Sequence, residues 1–189
     1  FNQNLVGLLT SKFLGAEIMG LFNIAYNLAI VPSKQLNSVL TNVLTSGYSR
    51  LQYEIKNFRD NYISAFRFTS ILFLPIMILL HTTSYSLISI VYGEKWIGSS
   101  ELLELLAIAG IFMGLNQISR SAIIAKGKTV IIFNSSVLYT LFCIPVMYFL
   151  MPNYGINGLI FGFIVGAFIE WLYLSYKFNI ILEDRIAIF

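Results

Sequence analysis

Apolar residues run along this chain in long blocks separated by short polar stretches, and the blocks set the predicted elements. The first, Phe1 to Thr10, is shorter than the roughly 20 residues a membrane-crossing helix needs. It reads as the end of a helix whose beginning is missing. Met19 to Tyr48, Tyr62 to His81, Leu102 to Ala125, Thr129 to Met151 and Ile156 to Tyr176 follow, each bounded by charges, Gly or Pro. Those residues punctuate helix ends, so the pattern predicts five complete helices. Ser84 to Tyr92 is apolar but short and leads into Gly93-Glu94-Lys95-Trp96. An interfacial extension is expected there, set off from the preceding helix by a break at Thr82 and Thr83.

Polar positions inside the first complete helix fall into register: Asn23, Asn27, Lys34, Ser38, Thr41 and Thr45 are spaced by 4, 7, 4, 3 and 4. Such spacings place them on one helical face. Pro32 removes a backbone donor one turn or less from Lys34, so a kink is expected beside the charge. A kinked helix with a polar stripe suits the wall of a water-filled cavity. A mid-membrane charge costs about 2.5–3.5 kcal/mol on insertion scales and normally faces a cavity or a partner. Lys34 therefore reads as an anion-binding cation, or as a lysine that snorkels or pairs with a carboxylate elsewhere.

Glu170 extends a row of Gly158, Gly162 and Gly166 at a spacing of four. Small residues so spaced let helices approach closely. A carboxylate beside that seam can bind a coupling proton or cation, or pair with a lysine or arginine. Trp171, Tyr173 and Tyr176 support a third reading, a position already at the headgroups. Asn116 and Arg120 share a face of the third complete helix, within reach of phosphate or sugar hydroxyls. Arg120 is also close enough to its helix end, about 9 Å by helical rise, to snorkel. Glu101 and Glu104 complement the helix dipole in the first turn and carry no expected function.

Composition makes the bilayer the solvent to reason in. Hydrophobic residues are 57%, charged residues 11% and mean hydropathy is +0.77, whereas globular domains carry about a quarter charged residues. A lone Cys143 excludes an internal disulfide framework and a multi-cysteine metal site. One histidine, His81, supports neither a zinc cluster nor a relayed triad with Cys143. No phosphate loop, nucleotide fingerprint or acidic loop pair is present, so neither catalysis nor a cofactor or metal is expected. The chain begins at Phe1 without a leader-like segment and reads as a cut from a longer one.

Orientation follows from basic residues in alternate loops. Arg50, Lys56, Arg59, Arg67, Arg120, Lys126, Lys128, Lys177 and Arg185 fall on one side, Lys12 and Lys95 on the other. The first side, with the carboxy terminus, is expected in the cytoplasm. Those loops also account for the net charge of +3, leaving no case for nucleic-acid binding.

Several stretches, spread over nearly the whole chain, carry a family resemblance. KFLGAEIMGLFNIAYNLAIVP (Lys12 to Pro32) resembles the loop and helix that open the second half of Wzx-type polysaccharide flippases. TSGYSRLQ (Thr45 to Gln52) is similar to the end of that helix and its basic loop. YGEKW (Tyr92 to Trp96) with Leu102 to Gly110, then AKGKT and PNYGINGLIFG, resemble the family's later loops and helices. The family belongs to the multidrug, oligosaccharidyl-lipid and polysaccharide exporter superfamily. The resemblance implies an all-α polytopic transmembrane bundle, with residues 1–189 as one carboxy-terminal lobe of a two-lobe exporter and the amino-terminal lobe absent. It implies alternating access in the bacterial inner membrane for a polyprenyl-pyrophosphate-linked oligosaccharide, whose tail stays among the membrane lipids. Lys34, Asn37, Ser38 and Thr41 would line the cavity and attract phosphates, and a proton or sodium ion is left open as the coupling partner. A drug or peptidoglycan-precursor exporter would share these helices. A membrane polysaccharide polymerase would need larger, more charged outer loops than these.

Overall fold

The computed structural model describes residues 15–32 and 55–183, and every described element is helical. Helix α1 covers residues 15–32. It is followed by α2 (Ile55–Tyr92), a 3-10 turn (Glu94–Trp96), α3 (Ser99–Ala125) and α4 (Thr129–Glu183). The all-α membrane bundle expected from the sequence is what forms: α2, α3 and α4 are each long and apolar enough to cross a bilayer.

Helix α3 is the central post, burying most of its residues inside the bundle while α2 and α4 keep broad exposed apolar faces. Exposed Phe68, Ile71, Leu79, Phe133, Leu141 and Phe149 belong to those faces. In water so much apolar surface would cost far more than folding yields, whereas lipid solvates it without penalty. Close approach of α2 to α3 depends on missing side chains. A Cβ on Gly114 would stand 2.2 Å from Cε1 of Phe73, and one on Gly110 would stand 3.1 Å from the sulfur of Met77. Gly114→Ala should therefore displace the buried Phe73 ring. The expected loss is about 1–3 kcal/mol, as in other overpacked cores, read as a lower unfolding temperature in detergent.

Helix α2 corrects the sequence reading at both ends. It starts at Ile55, so Arg59 and its neighbours before Tyr62 are helical rather than loop. It also runs unbroken through Thr82 and Thr83 to Tyr92, a length of 38 residues, or about 57 Å at helical rise. The threonines cause no break because their hydroxyls donate to the preceding turn: Thr82 Oγ1 to the Ile78 carbonyl at 3.0 Å, Thr83 Oγ1 to that of Leu79 at 2.7 Å. Such back-bonding satisfies the hydroxyl inside a helix. The segment expected as a separate extension continues α2, with Ser84 and Ile88 buried against the bundle and Tyr85, Ile90 and Val91 exposed. His81 Nδ1 lies 3.0 Å from the Glu104 carbonyl oxygen, tying α2 to α3.

Helix α4 is a hairpin. Its 55 residues are interrupted at Gly155, whose φ of 56° and ψ of −132° are not helical and lie where a side chain would be strained. The arms on either side, 129–154 and 156–183, correspond to the two last predicted helices and extend both of them. They return antiparallel along the glycine row. Gly158 sits against the backbone of Leu150, Gly162 against Met147 and the Cys143 carbonyl, and Gly166 against Cys143 and Tyr139. The seam inferred from glycine spacing is thus the line along which the arms close.

Helix α1 docks by its apolar face. Phe22, Ala25 and Ala29 are buried with α3 and α4 side chains, and the Phe22 and Tyr26 rings lie 6.2 and 6.1 Å from that of Phe163. Asn23 and Asn27 fall on the opposite, exposed face. A second apolar cluster, centred on Phe58, Ile123, Leu174 and Phe178, closes the end of the bundle that carries Lys126 and Lys177. Lys126 Nζ sits 4.1 Å above the Phe58 ring there, a contact that adds cation–π attraction to the apolar packing.

Candidate functional site

Three helical segments deliver polar groups to one point inside the bundle. Asn116 and Arg120 come from α3, one turn apart and so on one face. Ser135 and Ser136 come from the first arm of α4. Glu170 comes from the second arm, one turn beyond the glycine seam that draws the arms together, which is why a carboxylate can reach the serines at all.

Glu170 is the centre of this cluster and is buried, its side chain only 8% exposed. Arg120 Nη2 donates to its Oε1, forming an ion pair across α3 and α4. Asn116 Nδ2 donates to its Oε2 at 3.2 Å and also reaches the Ala167 carbonyl at 3.2 Å. Ser135 Oγ lies 3.1 Å from Oε1 and 2.8 Å from the Ile132 carbonyl, so its single proton serves one or the other. Arg120 also donates to Ser136 Oγ at 3.2 Å. Just beyond, Tyr62 of α2 and Ser119 of α3 share a hydrogen bond of 2.8 Å.

The electrostatics are asymmetric. A carboxylate away from water requires a charge partner and filled lone pairs, and Glu170 has donors on both oxygens. Arg120, at 26% exposure, keeps a foothold at the lobe surface. Asn116 is committed to the interior, and its Oδ1 has no protein partner. This arrangement can hold two helices in register.

Of the candidate residues, Asn116, Arg120 and Glu170 are therefore brought together. Of the readings considered for Glu170, the pairing with an arginine is the one seen, and Arg120 turns across to Glu170. Asn116, considered as a substrate contact, is enclosed at 2% exposure because its amide is spent on α4. Asn27 stands apart on the exposed face of α1. Lys34, Asn37, Ser38 and Thr41 lie outside the described residues. Ser135 and Ser136 were missed; their signal was only a pair of hydroxyls in an apolar run. Among the described residues no three His, Cys, Asp or Glu side chains meet in a way that could hold a metal ion.

Residues 1–101 match a family model described as polysaccharide biosynthesis protein. The chain is 30% identical over 175 residues to the lipopolysaccharide biosynthesis protein WzxC of Escherichia coli (strain K12), covering 93% of this chain and 35% of that protein. It is 30% identical over 130 residues to the teichuronic acid biosynthesis protein TuaB of Bacillus subtilis (strain 168), covering 69% and 27% respectively. An uncharacterized membrane protein in the cps region of Klebsiella pneumoniae is 28% identical over 177 residues, covering 94% and 36%. The chain thus spans about a third of the length of the curated relatives it matches. No solved structure matches it.

Proposed function

Because this chain belongs to the polysaccharide biosynthesis protein family, we propose that it is the carboxy-terminal lobe of a transporter that flips polyprenyl-pyrophosphate-linked oligosaccharides across the bacterial inner membrane. In this reading it rocks against an amino-terminal lobe of the same protein, opening a cavity alternately to the cytoplasm and outward. The sugar-pyrophosphate head crosses in the cavity, and the polyprenyl tail remains in lipid. No step requires catalysis by the lobe. The side bearing Lys126, Lys128, Lys177 and the carboxy terminus faces the cytoplasm.

The observation that carries this reading is the division of α1 into two faces. Phe22, Ala25 and Ala29 anchor it to the lobe, while Asn23 and Asn27 face away from it. By sequence spacing the same polar stripe leads on to Lys34, Ser38 and Thr41. Polar groups at membrane depth need an aqueous cavity or a protein partner, so the stripe supports a cavity wall facing a second lobe. Lys34 then attracts the substrate's phosphates. Glu170 would take up a coupling proton or sodium ion only on parting from Arg120.

The test is complementation of a strain lacking its own flippase by the full-length protein, with cell-surface polysaccharide as the readout. Wild type should restore the polymer. Lys34→Ala at equal expression should lose most of it, since a hydrogen bond to a charged group is worth about 1.5–3 kcal/mol, or roughly a tenfold or greater change in binding. Restoration by both removes Lys34 from the mechanism. Failure of the wild type with its cognate glycan counts against the flippase reading itself.

A further inference from the structure

The Arg120–Glu170 pair is built unequally, and the inequality bears on what it does. Glu170 is buried and has two neutral groups within hydrogen-bond distance besides Arg120: Asn116 Nδ2, and Ser135 Oγ, whose proton it shares with the Ile132 carbonyl. Arg120 reaches the lobe surface over a quarter of its side chain. Beyond Glu170 it donates to Ser136 Oγ, a hydroxyl that itself donates back to the Ile132 carbonyl at 3.1 Å. The carboxylate is thus fixed, and the guanidinium is the member that can change partners.

We propose that Glu170 is a tethered counter-ion occupying a pyrophosphate subsite on Arg120, and that an incoming phosphate or pyrophosphate group displaces it. This rests on the reading of the substrate as a pyrophosphate-linked lipid and adds how its charge is received and released. The planar guanidinium fork can donate to carboxylate and to phosphate oxygens in the same bidentate geometry. A polyvalent pyrophosphate therefore competes with a single carboxylate for the same donors. After exchange Glu170 keeps the Asn116 amide on Oε2 and gains the Ser135 hydroxyl when that proton turns from the Ile132 carbonyl; these offset part of the lost counter-charge, and the remainder favours the return of Arg120. Departure of the anion lets the tethered carboxylate return at high effective concentration, so release is driven without a second ligand. The ion pair also joins α3 to the second arm of α4. Anion binding on Arg120 would thus loosen the contact that holds those helices in register.

The experiment uses purified full-length protein and inorganic pyrophosphate as the probe, titrated by calorimetry. Glu170→Gln removes the competing charge, and pyrophosphate should then bind about tenfold more tightly, the expected scale for losing one charge-assisted competitor. Arg120→Gln should weaken binding in the wild-type background and remove the tightening that Glu170→Gln gives, any residual affinity being that of Lys34. If Glu170→Gln is not monodisperse, Glu170→Asp, which keeps the charge but shortens its reach, should tighten binding in the same direction. A folded Glu170 variant with unchanged or weaker binding overturns the exchange. So does tightening that survives Arg120→Gln. Farnesyl pyrophosphate titrated in parallel separates the anion's source: tighter binding than the inorganic ion assigns a lipid-linked group, and equal binding a soluble one, with the exchange supported in either case. Complementation reports the flippase reading separately. Tightening in Glu170→Gln without complementation by the wild type keeps the subsite and discards the flippase.

Discussion

Gly158→Ala is expected to abolish the folded lobe, although it adds a single methyl group. An alanine Cβ at this position would stand 2.6 Å from the Leu150 carbonyl carbon, 2.7 Å from its oxygen and 2.8 Å from the Met151 nitrogen. All three are backbone atoms, so no rotamer change can relieve the clash, and the arms of α4 must part where Gly155 has just turned the chain. Parting them there carries the defect to Gly162 and Gly166, which rest on Met147, Cys143 and Tyr139. Overpacking costs about 1–3 kcal/mol where side chains can yield, and here they cannot, so the loss should exceed that range. Gly20→Ala is the matched comparison. Its added Cβ would meet the Trp96 ring at 3.4 Å, an ordinary contact, and alanine is favoured over glycine in a helix by about 0.8–1 kcal/mol. Fluorescence size-exclusion of tagged full-length protein should show a normal peak for Gly20→Ala and aggregate or no protein for Gly158→Ala. A monodisperse Gly158→Ala variant of wild-type thermal stability would show that the arms do not pack along this seam.

Features written into local sequence were legible and those that depend on distant partners were not. The glycine row revealed its close approach because a spacing of four survives any rotation of the helix. The stripe through Asn23 and Asn27 was legible for the same reason, and in the structure those two residues fall on one exposed face. Helix ends were misjudged where polarity was taken as punctuation: Thr82 and Thr83 satisfy their own hydroxyls within α2, a bond that sequence does not advertise. Glu170 was recognised as an intramembrane carboxylate with an arginine or lysine among its possible partners, yet its location stayed open. Its partner lies 50 residues away in sequence. Periodicity states which face a residue occupies on its own helix but not which helix that face meets. Arg120 looked free to snorkel because only its distance from a helix end was visible.

Removing either member of the Arg120–Glu170 pair should destabilise the lobe, and removing both should restore most of the loss. Breaking a buried ion pair strands a charge and typically costs about 3–5 kcal/mol, whereas replacing both members by apolar residues of similar size is often neutral or stabilising. The two single losses should also differ. Arg120→Met leaves a carboxylate of 8% exposure with Asn116 and Ser135 as its remaining donors, and two neutral hydrogen bonds do not replace a counter-charge. Glu170→Met leaves a guanidinium of 26% exposure, which can follow its exposed edge toward water or headgroups. Arg120→Met should therefore be the less stable variant, and the double variant should approach wild type in thermal unfolding of the detergent-solubilised full-length protein. Surface polysaccharide separates structure from mechanism in the same set. If the pair serves only to join α3 to α4, the stable double variant should complement the flippase-deficient strain. If Arg120 receives the substrate's phosphates, the double variant should fold normally and still fail to export, because the stability lost with the charges returns with good packing and the anion subsite does not.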